Sequence, residues 1–366
     1  MATILSIAPY KYLKPRNGGH WGIFAVESVL SIHNKVFTLS VQSNEPFESP
    51  FTQLNILTDK KSRYLPYALT NTIIEEARKV KADYILCHHP YLYFSVKKAA
   101  KILNIPFFIR SHNIESERFR SMGKAWWRLL EVLEKKAYIA AKKVFFVTEE
   151  DALWAHNHFG LRKTQSVVLP YAIQANNFEM TKVSKEVVAA LHQLNPNIPW
   201  LCFMGDLGYA PNQEAVKNIV ENIYPKLKET SRKFEIIICG KGLPQPLQDA
   251  INHCEEIHYL GFVEDLKSIL NHSDIMLNAV TFGGGVKIKV LEALSENLTV
   301  ISTENGALGI NAKVCGEKLI IVKDGDWDNF SKKVAEQLQN PKTNIPNTYF
   351  EYYYFKNIAD RIQSNF

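Results

Sequence analysis

Residues 281–294 read TFGGGVKIKVLEAL and follow a short apolar run, Ile275–Asn278. The apolar run is typical of a buried β-strand, and the periodic residues after the glycines are typical of a helix. Three consecutive glycines let the backbone approach a ligand closely, and the helix that they open points free N–H groups at it, which favours phosphate. Lys287 and Lys289 would add positive charge there, and Glu292 could accept hydrogen bonds from a ribose diol. The alternative is an ordinary glycine-rich connection in which Glu292 faces solvent.

The alternation of strand and helix around this motif extends through the whole chain. The strands predicted before residue 175 are Thr3–Ala8, Lys35–Val41, Tyr84–His88, Phe107–Arg110, Val144–Val147 and Val167–Leu169. The strands predicted after it are Trp200–Met204, Glu235–Cys239, His258–Leu260, Ile275–Asn278, Thr299–Ser302 and Leu319–Val322. Predicted helices separate most of them, which implies parallel sheets with helices on both faces. The predicted fold class is therefore α/β, with two Rossmann-like, doubly wound domains.

The length of the chain also favours two domains. At 366 residues it is long for one hydrophobic core. Its 46% hydrophobic and 22% charged residues are ordinary for a globular protein, which excludes a disordered chain, a collagen-like repeat and a membrane-embedded bundle. An irregular segment, Gln174–Pro199, is predicted to connect domains at residues 1–175 and 176–349. A last helix, within residues 350–366, is predicted to cross back onto the first domain.

Charge is distributed unevenly between the two predicted domains. The whole chain carries 43 Lys and Arg against 37 Asp and Glu, a net charge of +6 that is too mild to indicate nucleic-acid binding. Residues 1–175 hold 24 of the basic and 14 of the acidic side chains, whereas residues 176–366 hold 19 and 23. A basic half joined to a mildly acidic half indicates two domains that present different surfaces.

The cysteines and the N-terminal residues indicate a cytoplasmic protein. There are five cysteines, an odd number, and no pair has the spacing of a zinc site. Buried free thiols in a reducing compartment are the interpretation that this pattern favours. The first nine residues are apolar but too short and too weakly charged for a signal peptide. The sequence contains no window of about 18 uncharged apolar residues, which is the length that a bilayer-spanning helix needs.

The glycine-rich stretch at 281–294 resembles the donor-sugar motif of retaining GT-B glycosyltransferases of family 4. Other segments resemble the family in the expected order: Gly18-Gly19, RSHNIE at 110–115, FMGDLGYAPN at 203–212, IIICGKG at 236–242, YLGFVEDL at 259–266, VIST at 300–303 and YYYF at 352–355. The resemblance covers nearly the whole chain and is specific as a set. It implies two Rossmann-like domains that face a cleft, with the acceptor on the first and the nucleotide-sugar on the second.

The resemblance also implies which residues form the site. The residues predicted to bind the donor are Gly18, Gly19, Gly205, Lys241, Phe262, Val263, Gly283, Gly284, Gly285, Lys287 and Glu292. His112 is the predicted catalytic residue, and Asn113, Glu115 and Arg118 are predicted to bind the acceptor. The chain departs from the family at two places, because Gly284 replaces a common glutamate and Asp206 replaces a common basic residue. Phosphate contacts are therefore expected from the amides of Gly283–Gly285 and from Lys241 and Lys287.

Three polar residues in the first half have alternative interpretations. His112 ends a predicted strand, where the family residue touches the transferred sugar, but a histidine tied into its own loop is the alternative. A neutral imidazole there could hydrogen-bond a sugar hydroxyl or a backbone carbonyl. Glu115 could cap a turn or bind the acceptor. His88 and His89 point to opposite faces of a strand, which favours packing or lining of the site over a shared metal.

The mechanism that the resemblance implies is transfer with retention from a UDP- or GDP-sugar to a hydroxyl of a glycan or lipid-linked acceptor, in polysaccharide or lipopolysaccharide synthesis. Amides, a helix N-terminus and lysines would stabilise the leaving diphosphate. The nucleophile is the acceptor hydroxyl on the leaving-group side, with no obligatory protein base. Neither a cofactor nor a metal is expected, and no Asp-x-Asp that would hold a metal is identified.

A basic, Trp-containing stretch at residues 117–143 suggests a partner for the first domain. It holds eight Lys and Arg against three Glu, with Trp126, Trp127, Leu129 and Leu130 among them. Basic side chains beside tryptophans suit an anionic membrane surface, which would place the protein at the inner face of the plasma membrane. The alternative is an ordinary helix with its Trp and Leu side chains packed inward.

Two other functions fit the same fold. A nucleotide-sugar epimerase would need more carboxylates near the ligand, and the Gly-rich motif with its Lys and Glu argues against it. A non-catalytic nucleotide-sugar binder is suggested by the missing glutamate at Gly284. Glycosyl transfer is the function that the sequence favours.

Overall fold

The computed structural model describes residues 1–15, 18–174, 178–230, 233–340 and 343–366. The chain divides into two compact units: residues 1–172 with 353–366 form the first, and residues 173–352 form the second. The predicted domain boundary, between residues 175 and 176, lies outside the described residues.

A seven-stranded parallel sheet forms the centre of the first unit. Its strands are β1 Thr3–Ala8, β2 Lys35–Val41, β3 Thr52–Leu57, β4 Tyr84–His88, β5 Phe107–Ser111, β6 Lys143–Phe146 and β7 Ser166–Val168. Their order across the sheet is β3-β2-β1-β4-β5-β6-β7. Strand β3 is missing from the sequence-based prediction because it lies at the sheet edge with most side chains partly exposed, so polar residues interrupt its apolar run.

Helices cover both faces of this sheet. They are α1 Gly18–Leu30, α2 Thr70–Val80, α3 Tyr93–Leu103, α4 Glu115–Ser121, α5 Trp127–Ala140 and α6 Glu149–Phe159. Ile73 and Ala77 of α2 pack into one buried cluster, and Val26 of α1 packs into another. The start of α6 follows from a local signal, because the Thr148 side chain accepts the Asp151 N–H at 3.0 Å. Helix α4 was not predicted.

The second unit is built around a six-stranded parallel sheet. Its strands are β8 Trp200–Met204, β9 Glu235–Cys239, β10 Ile257–Gly261, β11 Ile275–Asn278, β12 Thr299–Thr303 and β13 Leu319–Val322. Their order is β10-β9-β8-β11-β12-β13, with every strand parallel to its neighbours. Strands β8, β9, β11 and β12 are almost wholly buried, which is why they appear in the sequence as unbroken apolar runs.

The helices of the second unit correct two sequence-based predictions. They are α7 Lys185–His192, α8 Ala210–Asn218, α9 Tyr224–Lys228, α10 Gln245–Asn252, α11 Leu266–His272, α12 Ile288–Ser295, α13 Ala312–Cys315 and α14 Trp327–Gln337. Helix α7 lies in the segment predicted to be irregular, since only Val188 and Ala189 give it a buried face. The single helix predicted at 212–227 contains a π-helical turn, Ile219–Ile223, just before Pro225. Proline lacks the N–H that would donate to the preceding turn of an α-helix, and the wider π-helical turn accommodates the missing hydrogen bond.

The chain returns to the first unit through two further helices, α15 Asn347–Tyr353 and α16 Phe355–Gln363. Extended backbone at Tyr354 separates them, where a single helix was predicted. Ile358 and Ile362 of α16 enter the same buried cluster as α1, so the predicted crossing back to the first domain is confirmed. None of the helices in the described part of the chain is long and apolar enough to cross a bilayer.

Candidate functional site

The glycines that end β8 and β9 bring two loops together at the carboxyl edge of the second sheet. Gly240 has φ of 143°, and a Cβ placed on it would lie 1.8 Å from the carbonyl oxygen of Gly205. The N–H of Gly205 donates to the Cys239 carbonyl at 3.1 Å, and that of Leu207 to the Lys241 carbonyl at 2.8 Å. A side chain at residue 240 would separate these loops, so Gly240 is needed for their close packing, whereas a Cβ on Gly205 would lie 2.8 Å from the side-chain amide of Asn212. Ligands of parallel sheets bind at this edge.

The glycine-rich loop at 283–285 lies against the start of α8. Gly283 and Gly285 have φ of 100° and 77°, values that favour glycine. A Cβ on Gly283 would lie 3.0 Å from Pro211 and 3.5 Å from the Tyr209 hydroxyl. The first glycine is therefore needed for both conformation and packing. Gly284 is exposed, at the position of the missing family glutamate.

Lys287 holds the glycine-rich loop in shape. Its Nζ donates to the carbonyl oxygens of Gly283 and Gly285, at 3.0 and 2.9 Å. An ammonium group has three donors, so one remains for an anionic ligand. Burial lowers the pKa of Lys287 to about 8, and Asp324 offsets part of that effect. The predicted phosphate contact thus belongs to a lysine that also organises the loop.

Lys289 has its ammonium group directed at the protein. Its Nζ donates to Asn212 Oδ1 at 2.8 Å and lies 3.9 Å from the centre of the Phe203 ring. Burial lowers its pKa well below the usual range, and the charge of Lys287 adds to that effect. Lys289 therefore ties α12 to the first turn of α8 and to the end of β8.

Lys241, Phe262 and Glu292 present their side chains to solvent. The Lys241 ammonium lies 4.1 Å from the centre of the Phe262 ring, and that ring is 64% exposed. Val263 beside it is half-buried. Glu292 is exposed on α12, and surrounding protein desolvates its carboxylate enough to raise its pKa. A cation, an aromatic face and a carboxylate are thus left available, whereas Asp206 is used within its own loop, where it accepts the Gly208 N–H at 3.0 Å.

A line of buried polar side chains ends at His112 in the first unit. His112 follows β5, and its Nε2 lies 2.8 Å from Nδ1 of His88 at the end of β4. The Nε2 of His88 lies 2.7 Å from Glu27 Oε1, which also accepts the Ser6 hydroxyl at 2.6 Å. Burial lowers the pKa of His88 and lowers that of His112 still further. Sequence reasoning missed Glu27, although a lone glutamate between apolar residues of α1 was a usable signal.

Glu115 is buried, and its carboxylate is occupied by neighbours in the chain. Arg118 Nη2 donates to it at 2.6 Å, the Tyr91 hydroxyl also donates to it, and His89 Nδ1 lies 3.5 Å away. Burial alone would raise the pKa of Glu115, but the interactions with His89 and Arg118 outweigh it and bring the pKa to about 2. Contact of Glu115 with an acceptor stays a prediction, and the geometry gives the carboxylate the task of holding Arg118. Asn113 is half-buried beside it.

The capping function considered for Glu115 is carried by Glu134 instead. Its two oxygens accept the N–H groups of Glu115 and Ser116, at 2.9 and 3.0 Å. The Ser116 hydroxyl donates to Glu134 at 2.7 Å. Glu134 lies on α5, so it fastens the start of α4 to that helix. No local pattern announces such a cap, because donor and acceptor are 18 and 19 residues apart.

The basic stretch at 117–143 has apolar side chains that stay partly exposed, although the Trp126 ring lies 4.4 Å from that of Phe119. Leu129 is 74% exposed and Trp126 49%, whereas Leu130 is buried. The ordinary helix with all of its Trp and Leu side chains inward is therefore not what forms. The guanidinium groups of Arg120 and Arg128 lie near the Trp127 ring.

Two sets of predicted residues need separate mention. Gly18 and Gly19 form the first turn of α1, directly after residues that lie outside the description. Two overlapping Asp-x-Asp stretches do occur, at 324–326 and 326–328, but Asp324 accepts the Asn305 N–H, Asp326 caps α14 and Asp328 pairs with Lys226. Within the described ranges, no group of three or more His, Cys, Asp or Glu side chains is arranged to hold a metal ion.

Two Rossmann-like units, each built on a parallel sheet, with glycine loops at the strand ends of the second, are the architecture of the GT-B fold class. The family described as Glycosyl transferases group 1 matches residues 198–340, and the Glycosyltransferase Family 4 description matches residues 32–176. The chain belongs to the group 1 glycosyltransferases of GT-B fold.

Individual relatives are distant. An uncharacterised protein in the cps region of Klebsiella pneumoniae is 23% identical over 257 residues, which is 67% of this chain and 63% of that relative's length. A glycosyltransferase from Rickettsia africae has a similar structure, with a TM-score of 0.74 and 15% identity over 100% of this chain and 97% of its own. The Anabaena protein HepE in complex with UDP-glucose gives a TM-score of 0.72 and 14% identity, over 100% and 99%. At these identities the structures share the fold.

Proposed function

We propose that the protein is a retaining, metal-independent glycosyltransferase that moves a sugar from a nucleotide diphosphate sugar to a hydroxyl of a glycan or lipid-linked acceptor in cell-surface polysaccharide synthesis. The observation that carries the proposal is the glycine-rich loop at 283–285, held open by Lys287 at the carboxyl edge of the second sheet. The UDP-glucose bound to HepE and the cps region that encodes the Klebsiella relative support the donor class and the pathway.

The second unit offers a group for each part of such a donor. Backbone N–H groups of the glycine-rich loop, together with Lys241 and Lys287, would stabilise the charge that develops on the leaving diphosphate. The exposed carboxylate of Glu292 would accept hydrogen bonds from the ribose hydroxyls. The Phe262 ring and Val263 would contact the base. UDP or GDP is the nucleotide proposed, and no cofactor is involved.

Affinity for UDP should fall about tenfold between pH 7 and pH 9 because Lys287 loses its proton in that range. A bound diphosphate raises the pKa of a lysine, so this contribution is complete below the free pKa of about 8 and is lost as the pH rises above it. Isothermal titration calorimetry at several pH values measures the effect. Lys287→Arg, which stays protonated, should flatten the profile, and an equally steep profile in that variant would assign the titration to another group.

The first unit would supply the residues that meet the transferred sugar and the acceptor. His112 would accept or donate a hydrogen bond at the sugar, while Asn113 and Arg118 are near it in sequence and partly exposed. Glu115 holds the Arg118 guanidinium at 2.6 Å, so Arg118 is ordered for an anionic acceptor such as a phosphorylated glycan. The excess of basic side chains in residues 1–175 is consistent with such an acceptor.

The test of the proposed function is release of nucleoside diphosphate that depends on an acceptor. UDP- and GDP-sugars are first screened for thermal stabilisation of the protein, and the stabilising donor is then incubated with lipid-linked and soluble glycans. Release with acceptor and none without it, with retention at the anomeric carbon by NMR, supports the proposal. Epimerisation of the donor would instead identify the protein as a nucleotide-sugar epimerase. Binding of the donor without turnover with any acceptor would identify it as a non-catalytic binder.

The stretch at 117–143 would hold the enzyme at an anionic membrane surface. Leu129→Glu should lower co-sedimentation with phosphatidylglycerol vesicles about tenfold, because it removes an exposed apolar side chain and adds repulsion. Leu191→Glu is the matched control, since Leu191 is 75% exposed on the second unit. Wild-type binding should weaken in high salt. Absence of wild-type binding at low salt would eliminate the membrane contact.

A further inference from the structure

Glu27, His88 and His112 form a continuous hydrogen-bonded line beneath the surface of the first unit. Glu27 and His88 have no solvent exposure, and His112 has 6%. The links are 2.7 Å from Glu27 to His88 and 2.8 Å from His88 to His112. Each partner comes from a different element, α1, β4 and the residue after β5, so the contacts are a product of the tertiary fold.

The acceptor at the buried end determines where each proton lies. Glu27 Oε1 already accepts the Ser6 hydroxyl, and an ionised carboxylate can only accept, so His88 must donate through Nε2. A neutral His88 then has its lone pair on Nδ1. The atom that faces this lone pair is Nε2 of His112, which must carry a proton in turn. A neutral His112 consequently has its lone pair on Nδ1.

Burial favours the neutral form of both rings. It lowers the pKa of His88, although the hydrogen bond and charge of Glu27 act against it, and it lowers the pKa of His112, where Arg110 acts in the same direction. Arg110 is itself fully buried, and it donates to the Phe146 and Leu169 carbonyls. A second positive charge on His112 would be unfavourable so close to it.

We propose that Glu27 and His88 are positioning residues that hold His112 in the tautomer protonated at Nε2, so that its Nδ1 accepts a hydrogen bond from a hydroxyl of the sugar ligand. The identity of the ligand rests on the proposed function, whereas the tautomer does not. Of the two partners that sequence reasoning allowed for His112, this selects the hydroxyl and excludes a carbonyl. It also means that His112 meets the positive charge that develops on a transferred sugar as a neutral acceptor.

The tautomer is read directly from the free protein. Long-range ¹H–¹⁵N correlation spectra of ¹⁵N-histidine-labelled protein at pH 7.5 distinguish a protonated from a bare ring nitrogen, and the spectra of His88→Asn and His112→Asn assign the signals. We expect His88 and His112 both to be protonated at Nε2 and bare at Nδ1. Protonation of His112 at Nδ1, or at both nitrogens, would overturn the proposal whatever the activity of the protein.

Two substitutions at Glu27 separate positioning from mere support of the fold. Glu27→Gln keeps an oxygen that can accept from Ser6 and His88, so His112 should retain its tautomer. Glu27→Leu removes the acceptor, and a population of His112 protonated at Nδ1 should appear. Glu76→Gln, at another buried glutamate of the first unit, is the control and should leave the spectrum unchanged. If folded Glu27→Leu protein keeps His112 wholly in the Nε2 tautomer, the positioning role is wrong, and if it does not fold the wild-type spectrum decides.

The same variants connect the tautomer to sugar transfer. Glu27→Gln should keep kcat within a few fold of wild type, and Glu27→Leu should lower kcat more than it raises KM for the donor. A protein with the expected tautomer but no acceptor-dependent release of UDP or GDP would refute the proposed function and leave the positioning role intact. Transfer activity in a protein whose His112 is protonated at Nδ1 would refute the positioning role and support the proposed function.

Discussion

Replacing His112 by alanine should lower the rate of sugar transfer about 100-fold while leaving the affinity for UDP nearly unchanged. The imidazole belongs to the first unit, whereas Lys241, Lys287 and Glu292, which are proposed to bind the nucleotide, belong to the second. A hydrogen bond that strengthens as the anomeric bond breaks contributes to kcat and hardly to ground-state binding. The effect is measured as kcat and KM for UDP release with saturating acceptor, alongside UDP titration by calorimetry.

The control for this substitution is His158→Ala, which removes an exposed histidine of the same unit. His112→Ala also leaves His88 Nδ1 without its donor, so thermal melting is followed in parallel. If the His112→Ala variant melts like the wild type but loses affinity for UDP by the same factor as it loses kcat, His112 supports the donor site and not the reacting sugar. Unchanged turnover would remove His112 from the reaction.

Glu292→Gln should weaken UDP binding about ten- to a hundredfold, since a hydrogen bond to a charged group contributes about 1.5–3 kcal/mol. The carboxylate is exposed on α12, next to the glycine-rich loop in sequence. The proposed partner is the pair of ribose hydroxyls. Calorimetric titration with UDP and with 2′,3′-dideoxy-UDP gives a double-mutant cycle that isolates this contact.

In that cycle the wild type should discriminate between the two nucleotides and the Glu292→Gln variant should not. Glu317→Gln changes an exposed glutamate elsewhere on the second unit and should leave both affinities as they are. Equal discrimination by wild type and variant would place the ribose elsewhere, even if the affinity of the variant fell.

What could be predicted from the sequence was the part that local pattern encodes. Strands β8, β9 and β11 are buried on both faces, so their apolar runs give their positions almost to the residue. The glycine-rich loop was readable because its conformation requires glycine. Strand β3 and helix α7 were missed because partial exposure removes the contrast between apolar and polar positions.

The polar contacts that organise the first unit were beyond sequence reasoning for a different reason. Glu27 and His88 are 61 residues apart, and the Glu134 cap spans two separate helices. Such pairs depend on the order of the strands in the sheet, because that order determines which residues become neighbours, and it cannot be derived from local sequence patterns. The apolar residues around Leu129 could likewise be identified in the sequence, but their exposure could not, because it depends on which elements pack against α5.

The placement of α16 against α1 has a consequence for biosynthesis. Residues 353–366 complete the first unit, yet they follow every residue of the second one along the chain. A ribosome therefore releases the whole second unit before the cluster around Ile358 and Ile362 can close. During that interval the face of α1 that receives them stays open, and such a surface is vulnerable to aggregation. The first unit can therefore complete its folding only after the second unit has been synthesised, although each unit has its own sheet.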